Sequence, residues 1–162
     1  MKDSITPDPR LVAEETTGPK SFARYVPCIA RVLMGLIFFV FGLNGFLHFI
    51  PPPKTPMPEG AVALFGALMK TGYMLPLIAG TQVIVGVLLL SNRFVPLALA
   101  LIAPEVVNII AFHAFLAPSG AVLAVVVLVL EIYLAWAYRK AYLPMLAMRV
   151  TPGAPTNGTE KQ

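Results

Sequence analysis

Residues 94–140 read FVPLALALIAPEVVNIIAFHAFLAPSGAVLAVVVLVLEIYLAWAYRK. Two apolar runs, Phe94 to Leu116 and Ala121 to Tyr138, meet at the breaker Pro118-Ser119-Gly120, and Arg139-Lys140 closes the second. Each run is close to the ~20 residues that a helix rising ~1.5 Å per residue needs to cross hydrocarbon. The joint is too short to let the second helix run anything but antiparallel to the first.

Working outward, the tight turn Ser91-Asn92-Arg93 precedes this pair, and a further apolar run from Met74 to Leu90 precedes the turn. Earlier still, Val32 to Ile50 is apolar and stops at Pro51-Pro52-Pro53, where a helix cannot continue. Between them, Gly60 to Thr71 is mildly apolar and too brief to cross, so it is expected to form an interfacial or re-entrant helix. The pattern predicts an all-α integral membrane protein: an antiparallel four-helix bundle with spans over about 32–50, 74–90, 94–116 and 121–138 within a domain covering 22–146. Residues 1–21 and 147–162 are polar and rich in Pro, Gly or charge, and are expected to be mobile tails. The first of these has no apolar core or small-residue cleavage site of the kind a signal peptide needs. Asn157-Gly158-Thr159 matches a glycosylation sequon, a chance match if that tail is cytoplasmic.

The bulk composition agrees. The 162-residue chain is 57% hydrophobic and 12% charged, a balance that would aggregate in water and suits lipid. Its net charge of +4 does not point to nucleic acid, because the cations flank the apolar runs and form no basic stripe interleaved with aromatics. Arg24 and Arg31 precede span one, Arg93 joins spans two and three, and Arg139, Lys140 and Arg149 follow span four. The opposite loops hold only Lys54 and Lys70, so the positive-inside rule places both termini in the cytoplasm, of a bacterial inner membrane. Tyr133, Trp136, Tyr138 and Tyr142 fit an aromatic belt at the inner surface. Cys28 is the only cysteine, which excludes an intrachain disulfide, a multi-thiolate zinc site and a Cys-x-x-Cys redox pair. It reads as an isolated buried or interfacial thiol, with palmitoylation weakly indicated.

Polar side chains inside lipid are costly, so their positions carry the functional information. Span one holds Asn44 and His48, four apart and on one face, with Gly35 and Gly42 on roughly the opposite face where another helix can approach. Span two holds Gln82, span three Glu105, Asn108 and His113, and span four Glu131. Antiparallel threading puts the two histidines near the outer ends, and Glu105, Glu131 and Gln82 near mid-depth, forming one expected polar column. No Lys or Arg lies within the spans to neutralise the glutamates, so if the two face each other at least one is expected to keep its proton at neutral pH. Glu105 and Glu131 are thus candidate proton-relay residues. Asn44, His48, Gln82, Asn108 and His113 are candidate ligand-binding residues, for a carbonyl-bearing lipid-soluble compound such as a quinone.

The alternatives are structural. The amides can simply tie helix to helix at ~1 kcal/mol or less each. Glu105 follows Pro104 and can satisfy the backbone carbonyl that the proline frees. The histidines can be interface residues, and two of them alone make an incomplete metal site, so no metal is expected. The loop Pro51 to Pro58 with the short helix is either a lid over the outer mouth or a passive connector.

The order of these features resembles the DoxX family of small four-span membrane proteins. The likeness rests on Ala30-Arg31-Val32-Leu33-Met34-Gly35, on Phe41-Gly42-Leu43-Asn44-Gly45 with His48, on Phe65 to Tyr73, on Gln82 with Gly86, and on Pro104 through His113. It covers roughly Ala30 to Tyr138. The resemblance implies membership of a membrane assembly, with a quinone-linked redox role as one possibility and no catalytic motif to carry across. Three functions follow in order: a small subunit of a quinone-linked redox system, an oxidoreductase subunit rather than an autonomous enzyme; a non-catalytic assembly or stabilising subunit of a larger membrane complex; and, last, a small-solute transporter. Expected partners are the lipid bilayer and other membrane subunits or further copies of the chain.

Overall fold

The computed structural model describes residues 25–51 and 56–143; the two expected tails and the loop residue Lys54 lie outside the described residues. The described residues form α1 (Val26–Leu47), α2 (Glu59–Lys70), α3 (Met74–Leu90), α4 (Val95–Phe115), a 3-10 turn (Pro118–Gly120), α5 (Ala121–Ala137) and α6 (Arg139–Tyr142), with no strand among them. Three segments are long and apolar enough to cross a membrane: α1, α4, and the 3-10 turn continued by α5. A further crossing is available from α2 and α3 taken together, which meet at a bend of 93°. By itself α3 has 17 residues, so it reaches about 26 Å against a hydrocarbon layer of ~30 Å.

Prolines and left-handed residues set the helix ends. Pro27 sits in the first turn of α1, where its missing N–H costs nothing, and α1 starts at Val26 rather than at Val32. At the other end His48 turns left-handed (φ 52°, ψ 40°) and donates its N–H to the Asn44 carbonyl, just ahead of the proline run. Asn92 and Phe94, both at positive φ, fold the short turn between α3 and α4. Gly72, at φ 75°, lets the chain break between α2 and α3.

α1 lies along α3 and α4 along α5; α3 also meets α4, and α1 meets α5. Met34 and Phe38 of α1, Val85 and Leu89 of α3, and Leu99 and Ile102 of α4 belong to one buried cluster with Val127 and Leu134 of α5. The outer surface is apolar too: Leu77, Ile84, Val107, Val122, Val129 and Ile132 all point out of the molecule. Helices that are apolar on the inside and the outside alike suit a surrounding of hydrocarbon.

Arg31, a flanking cation by sequence, lies inside α1 and is buried. Its guanidinium donates to the carbonyl oxygen of Leu89 and, at 3.4 Å, to that of Leu90, the last residues of α3. Those carbonyls are the negative end of the α3 dipole, and that of Leu89 also accepts the Asn92 N–H at 3.2 Å. That is why α1 extends past the residue whose charge the apolar run excluded. Arg31→Met keeps the apolar stem but removes the charged donor from the end of α3, and is expected to cost about 2 kcal/mol. Arg93→Met, at an exposed turn, is expected to stay within about 0.5 kcal/mol. Thermal unfolding of the two variants in detergent checks the contrast, and equal melting temperatures would remove Arg31 as a cap.

Candidate functional site

The polar residues of α1, α3 and α4 converge on a cavity of about 520 Å³, within the size range of small-molecule sites. Asn44 and His48 reach it from α1 and its C-terminal end, Gln82 from α3, and Glu105, Asn108 and His113 from α4. Its apolar walls come from Phe38 and Phe41 of α1, Ile109 and Phe112 of α4, and Leu123 and Val127 of α5. Helix α2 closes one side with Leu64, Phe65 and Leu68, and the Phe65 ring stands edge-on to Phe112 with centroids 5.6 Å apart.

Within this lining the polar groups are partly spent on the protein itself. The Gln82 side-chain amide donates to Glu105 Oε1, joining α3 to α4 across the cavity wall. An amide can meet this carboxyl in either state, since its N–H donates to an ionised oxygen and its C=O accepts from a protonated one. Asn44 Oδ1 accepts the Ile50 N–H at 2.7 Å and so holds the chain as it leaves α1. His113 Nδ1 lies 2.8 Å from the Ala117 carbonyl oxygen, and its ring packs edge-on to Phe112. Of the structural roles weighed from sequence, the inter-helix tie is the one Gln82 takes; Glu105 pairs with Gln82 across the helices.

Glu131 stands elsewhere. It is buried on the α5 stripe that includes Ala124, Val127 and Leu134, but it does not line the cavity. Among the described residues no hydrogen bond joins it to Glu105, and its Oε2 has no partner. The group it acts on is Tyr142 in α6, beyond the end of α5. Burial, and then the Glu131 charge, push the Tyr142 hydroxyl above the ordinary phenol value. That hydroxyl donates to the Pro96 carbonyl at 2.9 Å and pins α6 to the first turn of α4.

Among the described residues no cluster of three or more His, Cys, Asp or Glu is placed to hold a metal ion. The cavity's apolar walls, with hydrogen-bonding groups from Glu105 and Gln82 near the middles of α4 and α3 and from Asn44, His48 and His113 near the ends of α1 and α4, suit an organic molecule. The α2 face was legible as Ala61, Leu64, Phe65 and Leu68, a helical stripe. No protein-family model, curated protein or solved structure matches the chain.

The glycines of α1 are used inside the chain. A Cβ on Gly35 would stand 3.0 Å from Leu90, and one on Gly45 would stand 2.6 Å from the Ala79 Cβ, so both lie against α3. As residue numbers rise along α1 the α3 contacts fall, which makes the pair antiparallel.

Proposed function

We propose that the chain is a DoxX-like integral membrane protein. In this reading it crosses the bilayer four times as an antiparallel bundle, with both termini cytoplasmic. It serves as a small subunit of a quinone-linked redox system, and its cavity receives the head group of the quinone. The observation that carries this reading is the Gln82–Glu105 pair set into the wall of an otherwise apolar cavity. A carboxyl in such a place is expensive to bury and gains its value by exchanging a proton or binding a polar head group. The apolar walls suit a compound that arrives through lipid.

The crossing count takes α3 as the span and gives α2, bent from it by 93°, a place in the plane of the interface. The shortfall of α3 against the hydrocarbon layer is of the size that a bilayer absorbs by local thinning. Orientation rests on the cations: Arg93 and Arg139 share one end with the Trp136 ring, over which the Arg139 guanidinium stacks at 4.5 Å.

The assembly-subunit alternative needs a small-residue face, such as Gly35 with Gly42, open to another protein. Both are occupied by α3, and the redox reading stands ahead of it for that reason. Purification from native membranes in mild detergent, followed by mass spectrometry of bound lipids and proteins, tests the choice. A quinone or quinol at near-equal molar amount is the expected result. A preparation holding partner subunits and phospholipid but no ring compound would favour the assembly role instead.

A further inference from the structure

The hydrogen bonds already made inside the cavity wall fix what remains for a ligand. A carbonyl oxygen only accepts, so the 2.8 Å contact of His113 Nδ1 with Ala117 puts the proton of a neutral ring on Nδ1. Nε2 then carries a lone pair and takes hydrogen bonds without giving one. Gly120 leaves room for the ring in this setting, because a Cβ there would stand 2.1 Å from the ring carbon Cε1. Asn44 is fixed in the opposite sense. The Ile50 N–H only donates, so the side-chain oxygen must face it, and the amide N–H₂ is the end left over. One side of the cavity thus keeps a donor on α1, and the other keeps an acceptor on α4.

We propose that His113 Nε2 accepts a hydrogen bond from a ring hydroxyl of the bound molecule, so that the cavity holds a hydroquinone in preference to the matching quinone. This rests on the reading that the cavity takes a quinone-class lipid. Ring oxygens have lone pairs in both redox forms, so the Asn44 amide binds either form and does not discriminate. Only the hydroxyl form has a proton to offer Nε2. Opposite a quinone carbonyl, that nitrogen meets a second acceptor and loses its water without a replacement, which weakens binding by about tenfold.

Two measurements on the full chain in nanodiscs at pH 8 test this. In anaerobic calorimetric titrations with a decyl-chain hydroquinone and the matching quinone, the hydroquinone is expected to bind about tenfold more tightly. In His113→Phe, which keeps an aromatic ring beside Phe112, the preference for the hydroquinone is expected to shrink by about tenfold. Equal binding of both forms to the unaltered chain, or a preference that survives His113→Phe, would overturn the role of His113 while leaving a quinone-class site. Binding of neither form would overturn the site itself. Nitrogen NMR of the histidine-labelled unaltered chain needs no altered cavity residue, with the two histidine signals assigned through a His48→Gln sample. It is expected to show the Nδ1–H tautomer for His113, and an Nε2–H tautomer would sink the proposal.

Discussion

Gly42→Leu is expected to abolish the folded state in detergent, lowering stability by more than about 3 kcal/mol. Even a single carbon at Gly42 would stand 2.7 Å from the Val83 nitrogen and 2.8 Å from the Ala79 carbonyl oxygen. Both are backbone atoms in the middle of α3 and cannot rotate away as a side chain does. A Cβ on Gly86 would meet the Phe39 backbone nitrogen at 2.7 Å in the same way, so the approach of α1 to α3 is fixed from both partners. Lipid tails are as apolar as leucine, so helices in a membrane gain little from hiding greasy surface and depend on close contact of this kind. Forcing α1 and α3 apart would also pull Arg31 from the α3 carbonyls and open the cavity along its α1 wall. Gly80 provides the control. It lies on α3 with no neighbouring atom within 4 Å of an added Cβ, and Gly80→Ala is expected to be neutral or to stabilise by up to ~1 kcal/mol. Melting curves of the purified variants decide, and a Gly42→Leu protein that melts within about 2 °C of the parent would refute the close-packing argument.

Position along the helix axis was readable from the sequence only to within about a turn. Counting from the breakers Pro51, Ser91 and Pro118 puts Glu105 and Gln82 in one layer, and they are hydrogen-bonded to each other. The same counting put Glu131 in that layer, but the cavity takes Glu105 and leaves Glu131 out. Glu131 shares its stripe on α5 with Val127, which lines the cavity, so it lies one turn further along the helix rather than turned away. In a run of Val, Leu and Ala no residue marks that one-turn difference.

Arg31 was hidden for a related reason. A charge beside an apolar run reads as a headgroup cation, and its burial depends on the carbonyls at the end of α3, which are a tertiary fact. Asn44 shows the limit on the polar side. Its spacing from His48 placed it correctly on the cavity-facing side of α1, but nothing in the spacing shows that Ile50 takes its oxygen. Local hydrogen bonds of this kind decide whether an amide offers a ligand a donor or an acceptor.

The separation of the two glutamates leads to the second large effect. Glu105→Gln preserves the shape and the chance to pair with Gln82, amide to amide, so melting is expected to stay close to that of the parent. What it removes is the ability to gain or lose a proton at the cavity wall, and positioned proton transfer contributes about 10²–10⁴-fold to rates. Quinone-linked electron transfer in membranes carrying Glu105→Gln as the only copy is therefore expected to fall by at least about a hundredfold. Glu131→Gln, away from the cavity and beside Tyr142, is expected to change that rate by less than about twofold, its effect falling on the docking of α6. Full activity in Glu105→Gln would reduce the Gln82–Glu105 pair to a clasp between α3 and α4. A loss confined to Glu131→Gln would move the proton-carrying role to the Tyr142 end of the molecule, because the cavity would then hold the ligand without handling its protons.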